Sequence, residues 1–187
     1  MKLLLLALAF SILVLAGCRS APPARVNAPS PPTVTATTIY PNLMVQAKQL
    51  ETAVSTKDYA KVTDLTYPKS VEIGGGREKF LSEMTRGMKT MEAEGVFLLS
   101  TTVSEPSQFV NDANGIYAVV PVTTKIRAQG GVFQTEGTII GISTDGGQNW
   151  TFIDATGRDQ SELRAVLPNF DKLNVPPEKA PVKISEK

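Results

Sequence analysis

From Ile39 onward apolar residues recur at Leu43, Ala47, Leu50 and Val54, spacings of four, three and four that predict an amphipathic helix. Ser55 followed by Asp58 predicts a break and a second helix start, with Tyr59, Val62 and Leu65 on its inner face. Tyr67-Pro68 ends that helix, because a residue before proline is pushed out of helical φ/ψ. Residues 70–73 read as a short strand. Gly74-Gly75-Gly76 then turns the chain into a third helix, where Phe80, Leu81, Met84, Met88 and Met91 form one apolar stripe and Gly95 closes it.

Everything after Gly95 has the pattern of strands. Residues 96–103 are β-rich and apolar on both faces at their start, which predicts burial. Residues 116–126 alternate, with Ile116, Ala118, Val120, Val122 and Ile126 on one side. Pro121 within that run predicts a sheet edge or a bulge, since proline cannot donate to the ladder. In the next strand, 132–143, Gly137 and Gly141 interrupt the alternation and suit a bent, strongly coiled sheet. Residues 150–154 finish the sheet. Asp159 with Glu162 predicts the cap of a last short helix through Leu167, stopped by Pro168. The remainder, 169–187, is rich in proline and lysine and is expected to be a loosely held tail. The fold class is α+β: three N-terminal helices packed on a curved, mostly antiparallel sheet.

In this element order, over about residues 39–154, the chain resembles the NTF2-like superfamily, also called SnoaL-like. The likeness is carried by the Tyr59-to-Leu65 helix, the Gly-Gly-Gly turn and the glycine-bent strands. It implies a sheet wrapped around the helices as a cone whose mouth holds a small substrate, binds a partner or is filled by side chains. Such a fold does not choose a function. The side chains expected to line the mouth are Tyr59, Met84, Met88 and Tyr117.

The first residues change where such a domain is expected to work. Lys2 precedes an apolar run over residues 3–16, broken only by Ser11 and short of the roughly 20 residues a spanning helix needs. The run ends in Leu15-Ala16-Gly17-Cys18, which resembles a bacterial lipobox. The resemblance implies a signal peptide at 1–17, cleavage after Gly17, diacylglycerol on the Cys18 sulfur and a further acyl chain, such as palmitate, on its amine. Two or more acyl chains hold a protein to a bilayer stably, as one does not. Arg19, in place of aspartate after the cysteine, favours the outer membrane, facing the periplasm, in a source that has one. Residues 18–38 then form a tether. With Pro22, Pro23, Pro29, Pro31 and Pro32 it favours polyproline II and a reach of about 60 Å. The folded domain is assigned to 39–168.

Composition narrows the chemistry. Among 187 residues there is no histidine, which removes the usual general base, zinc ligand and pH switch together. The single cysteine excludes an internal disulfide. The net charge of +1 comes from scattered basic residues, so no nucleic-acid partner is expected. Signal cleavage removes Lys2 from the 19 basic side chains and leaves them equal to the 18 acidic ones. Membrane affinity must then come from the lipid rather than from a polybasic patch.

Several motifs carry candidate chemistry. Ser143, Asp145, Gly147 and Trp150 match S-x-D-x-G-x-x-W, which resembles the Asp-box of β-propellers. One copy reads as a structural turn: the carboxylate accepts turn N–H groups, glycine takes positive φ and the indole covers the loop. Glycan or calcium binding is the alternative. Met84, Met88 and Met91 on one face suit Cu(I) in principle, but without histidine or a free thiol they read as core, and no metal or cofactor is expected. Gly74-Gly75-Gly76-Arg77 lacks the ending of a phosphate loop and reads as a turn. Related cones use Asp and Tyr for proton transfer, for which Asp64, Asp154, Tyr59 and Tyr117 are the candidates. The expected function is thus a lipid-anchored envelope protein with a non-enzymatic binding domain, for a protein partner or a small apolar ligand. The alternatives are a small isomerase or cyclase using an Asp–Tyr pair, and an accessory subunit of an envelope assembly.

Overall fold

One long hairpin organises the sheet. In the computed structural model, which describes residues 40–167 and 169–184, β3 (Gly115–Ala128) pairs with β4 (Gly131–Ser143) from Ile116↔Ser143 to Ala128↔Gly131. Two short strands, rather than one long one, complete each side of it. β1 (Phe97–Val103) and β2 (Gln108–Asp112) both pair with β3, while β5 (Thr151–Asp154) and β6 (Val182–Ile184) both pair with β4. All these pairings are antiparallel, and the sheet is curled into a half-barrel.

Pro121 explains why the β1 side is broken. β3 is an interior strand, so the proline is not at an edge as the alternation allowed. The Ser104 N–H donates to the Pro121 carbonyl at 2.9 Å and Ser107 N–H to that of Val119 at 2.8 Å, with the chain leaving the ladder between them. In an antiparallel strand the N–H and C=O of one residue point the same way. The missing proline donor therefore faces the gap between β1 and β2, where no ladder acceptor is left waiting. A second irregularity, between Leu98 and Ser100, bends β1 near its start.

The helices follow from the N-terminal pattern with one exception. α1 (Pro41–Ser55) buries Leu43, Ala47 and Ala53, and α2 (Tyr59–Leu65) starts on Asp58, whose carboxylate accepts the Lys61 N–H at 3.0 Å. Residues 70–73, expected as a strand, are helical instead: α3 (Pro68–Ile73) has its proline in the first turn, where the fixed φ suits a helix and no donor is wasted. α4 (Arg77–Ala93) follows the glycine turn, and α5 (Gln160–Val166) starts on Asp159, which accepts the Ser161 N–H.

Packing uses both faces of the hairpin. Ala118, Val120, Val122, Ile139 and Phe152 meet Leu43, Ala47, Leu65 and Trp150 on the face of α1 and α2. Tyr117, Val119, Ile140, Ile142 and Ile153 meet Leu163, Val166, Leu167, Phe170 and Leu173 on the other. Residues after 168 are therefore not a loose tail through 184. Phe170, in a 3₁₀ turn (Phe170–Lys172), and Leu173 are buried, and β6 pairs with β4. The pattern obscured this because their apolar residues are few and separated by polar ones. The lipobox at Cys18, the tether and the Pro168 stop lie outside the described residues.

Candidate functional site

The hairpin turn after β4 is a closed hydrogen-bond network. The Ser143 hydroxyl donates to Asp145 Oδ1 at 2.8 Å and accepts the Gly147 N–H at 2.9 Å. Asp145 Oδ1 also accepts the N–H groups of Gln148 and Asn149, and its Oδ2 takes the Asn149 amide at 2.7 Å. Gly147 adopts φ +91, and a Cβ there would stand 2.5 Å from the Tyr40 ring. Trp150 donates its indole N–H back to the Gly147 carbonyl at 3.0 Å. α1 reads the outside of the turn: Asn42 and Gln46 both donate to the Gln148 carbonyl at 3.0 Å, and Gln46 accepts the Trp150 N–H. Every oxygen of Asp145 is occupied by the turn itself.

Those donors, Asn149 first and then Ser143, hold the Asp145 carboxyl down at about 2. The native state thus prefers the ionised form more than the unfolded chain does, and the stability this adds is present above pH ~4. It is expected to disappear as pH falls from about 4 through about 2. Urea unfolding of wild type and Asp145→Asn across that range checks it: the gap in midpoint should narrow with falling pH. A constant gap would count against the network.

The four groups weighed for acid–base work do not meet. Asp64 faces outward from α2 and pairs with Arg77 at 2.8 Å. Asp154, at the exposed end of β5, accepts the Thr156 N–H at 2.9 Å. Tyr117 is buried beneath α5 beside Tyr67, whose phenol is pushed up by burial and then by Tyr117. This corrects its expected place in the mouth with Tyr59, Met84 and Met88. The alternation that puts Ile116 and Ala118 on the α1 side sends Tyr117 to the opposite one. Tyr59 lies on α2, half-buried, its phenol raised by burial and then by the Glu92 charge.

The apolar stripe of α4 is placed differently from a core. Two ion pairs tie α4 to the neighbouring segment, Arg77 with Asp64 at one end and Glu92 with Lys57 at the other. Between them Phe80, Leu81, Met84, Met88 and Met91 are all only half-buried, and no residue of α4 belongs to either core. Gly87, on the flank of the stripe, has nothing within 4 Å of the position a Cβ would take. The Gly95 turn leads directly into β1, where Phe97 and Leu99 are 43% and 42% exposed.

A second concavity was not singled out from the sequence. It lies on the α5 side, about 310 Å³ in volume, between the hairpin and residues 176–179. Its signal was the point where that face turns polar, at Pro121 and Thr123 on β3 and at Thr138 and Glu136 on β4. Among the described residues no group of three or more acidic or thiol side chains is placed to hold a metal, and no helix is long and apolar enough to cross a membrane. No protein-family model, curated protein or solved structure matches the chain.

Proposed function

We propose that this protein is a lipid-anchored envelope module whose NTF2-like domain docks a protein partner on the apolar stripe of α4. The observation that carries the reading is the α4 stripe. Five apolar side chains at helical spacing are only partly buried, on a helix none of whose residues joins either core and whose two ends are tied to the preceding segment by ion pairs. Exposed ion pairs contribute little, each about 0–1 kcal/mol, so they orient α4 more than they stabilise it. Contiguous apolar surface of this kind marks interaction sites on folded proteins, and methionine adapts to the shape of what it meets. The curled antiparallel sheet and the helices that precede it support the NTF2-like cone. The four candidate catalytic groups, standing apart, favour binding over the isomerase reading. The Leu15-Ala16-Gly17-Cys18 motif supports anchoring through Cys18 at the outer membrane.

A two-armed experiment tests both halves. Cys18→Ser is expected to release the processed protein from membranes, and retention of the processed form on membranes would sink the anchor. Met88→Glu is expected to leave the chain folded at a cost of about 1 kcal/mol, since Met88 is only partly buried, read as a shift in the urea midpoint at constant slope. It should nevertheless lose the envelope protein that the wild type captures by crosslinking. Capture unchanged by Met88→Glu would remove α4 from the interface.

A further inference from the structure

The sulfur of the folded domain is gathered on α4. Of the five methionines in the chain, Met1 precedes the described residues and Met44 packs against the core on the α1 face of the sheet. The other three, Met84, Met88 and Met91, share one face of α4 over about 10 Å of its length. Each is only partly buried, and no residue of α4 belongs to either core. Gly87 borders both Met84 and Met91 on the helix surface, and nothing stands within 4 Å of the position its Cβ would take. Water and small solutes therefore reach the stripe along its glycine flank.

Thioethers placed in this way are open to oxidation. Cys18, the single cysteine, precedes the described residues, so no thiol competes with the methionines there. A hydroperoxide transfers one oxygen to the methionine sulfur: the S–O bond forms, the peroxide O–O bond breaks, and the sulfur gives up two electrons. The proton of the transferred oxygen passes to the departing hydroxide, which leaves as water, or to an alkoxide, which leaves as an alcohol. The product, methionine sulfoxide, is polar where the thioether was apolar, and reductases with a thiol donor restore it.

From this placement we infer that Met84, Met88 and Met91 form an oxidation site for hydroperoxides, and that their sulfoxides turn the α4 stripe polar while the domain stays folded. Inside a core the new oxygens would be stranded without partners, at the cost of any buried polar group left unpaired. On α4 they stay hydrated, because both cores are built without this helix. A partner seated on the stripe would have to strip that water away, so oxidation releases it. This last consequence rests on the docking reading of α4, whereas the oxidation and its tolerance by the fold do not.

The test treats the full chain with dilute hydrogen peroxide and follows the added oxygen at each methionine by peptide mass spectrometry. Met84, Met88 and Met91 are expected to oxidise at least about threefold faster than Met44, with the urea transition still cooperative once they have done so. Capture of the envelope partner by crosslinking should weaken about tenfold and return after treatment with methionine sulfoxide reductases A and B and a thiol. In the triple variant Met84→Leu, Met88→Leu, Met91→Leu, peroxide should no longer change capture, whatever its starting level. Oxidation of Met44 as fast as the α4 methionines, or loss of the cooperative transition, overturns the inference, and so does capture that full oxidation of α4 leaves unchanged. A wild type that captures nothing before treatment removes the docking reading instead, and the order of oxidation with the urea transition still decides the site.

Discussion

Replacing Trp150 by alanine is expected to destabilise the domain by about 3–5 kcal/mol, read as a shift in the urea unfolding midpoint at constant slope. The indole is 1% exposed and is the largest fully buried side chain among the described residues. It packs edge-on to the Tyr40 ring, centroids 5.8 Å apart, and lies against Gly141, where a Cβ would stand 3.2 Å from it. The alanine variant therefore opens a cavity between α1 and the hairpin. It also strips the Gly147 carbonyl of its indole donor. Trp150→Phe separates the two effects. It keeps most of the ring and should cost roughly the lost hydrogen bond, about 1 kcal/mol, plus a smaller packing defect. Since typical domains have only about 5–15 kcal/mol in total, the alanine variant should be marginal at body temperature. A loss under about 1 kcal/mol would mean that the turn folds independently of α1.

The residues of that turn were legible in advance because their chemistry is local. Ser143, Asp145, Gly147 and Trp150 specify their contacts within eight positions, and the structure brings all four together. Periodicity also located most elements, since Leu43 and Ala47 or Val120 and Val122 repeat at the spacing of the face they bury. Contacts decided by distant partners were not legible. Residues 70–73 carry Val71 and Ile73, which suit a strand, but no neighbour pairs with them and Pro68 starts a helix. β2 was missed because five residues hold too few alternations. Its register comes from the turn in which Asp112 accepts the Asn114 N–H and Gly115 takes positive φ.

The α4 stripe shows the complementary difficulty. Helical spacing establishes that Phe80, Met84, Met88 and Met91 share a face, and α4 forms as expected. It cannot establish what that face meets, because a core and a docking surface have the same period. The concavity escaped for a related reason: Thr123, Thr138 and Thr156 are ordinary strand and turn residues until the fold aligns them with Pro176 and Pro177.

Deleting residues 169–187 is expected to leave a chain that no longer unfolds cooperatively. Phe170 and Leu173 fill the side of the sheet that holds Tyr117, Val119, Ile140 and Ile153. β2 holds the same segment through two side chains: Gln108 donates to the Lys172 carbonyl at 3.1 Å and accepts the Asn174 N–H at 2.7 Å, and Asp112 pairs with Lys172 at 3.4 Å. Arg164 reinforces it from α5, pairing with Asp171 and lying 5.7 Å over the Phe170 ring. Phe170→Ala alone should cost about 3–5 kcal/mol by urea titration, and the deletion should also expose Leu163 and Val166 and raise binding of a hydrophobic dye. The same deletion removes Lys179 and the 176–179 side of the concavity. Phe170→Ala is the cleaner probe, because it weakens the core while leaving Glu136 and Lys179 in place. A deletion variant with an unchanged midpoint would return residues 169–184 to the status of a tail.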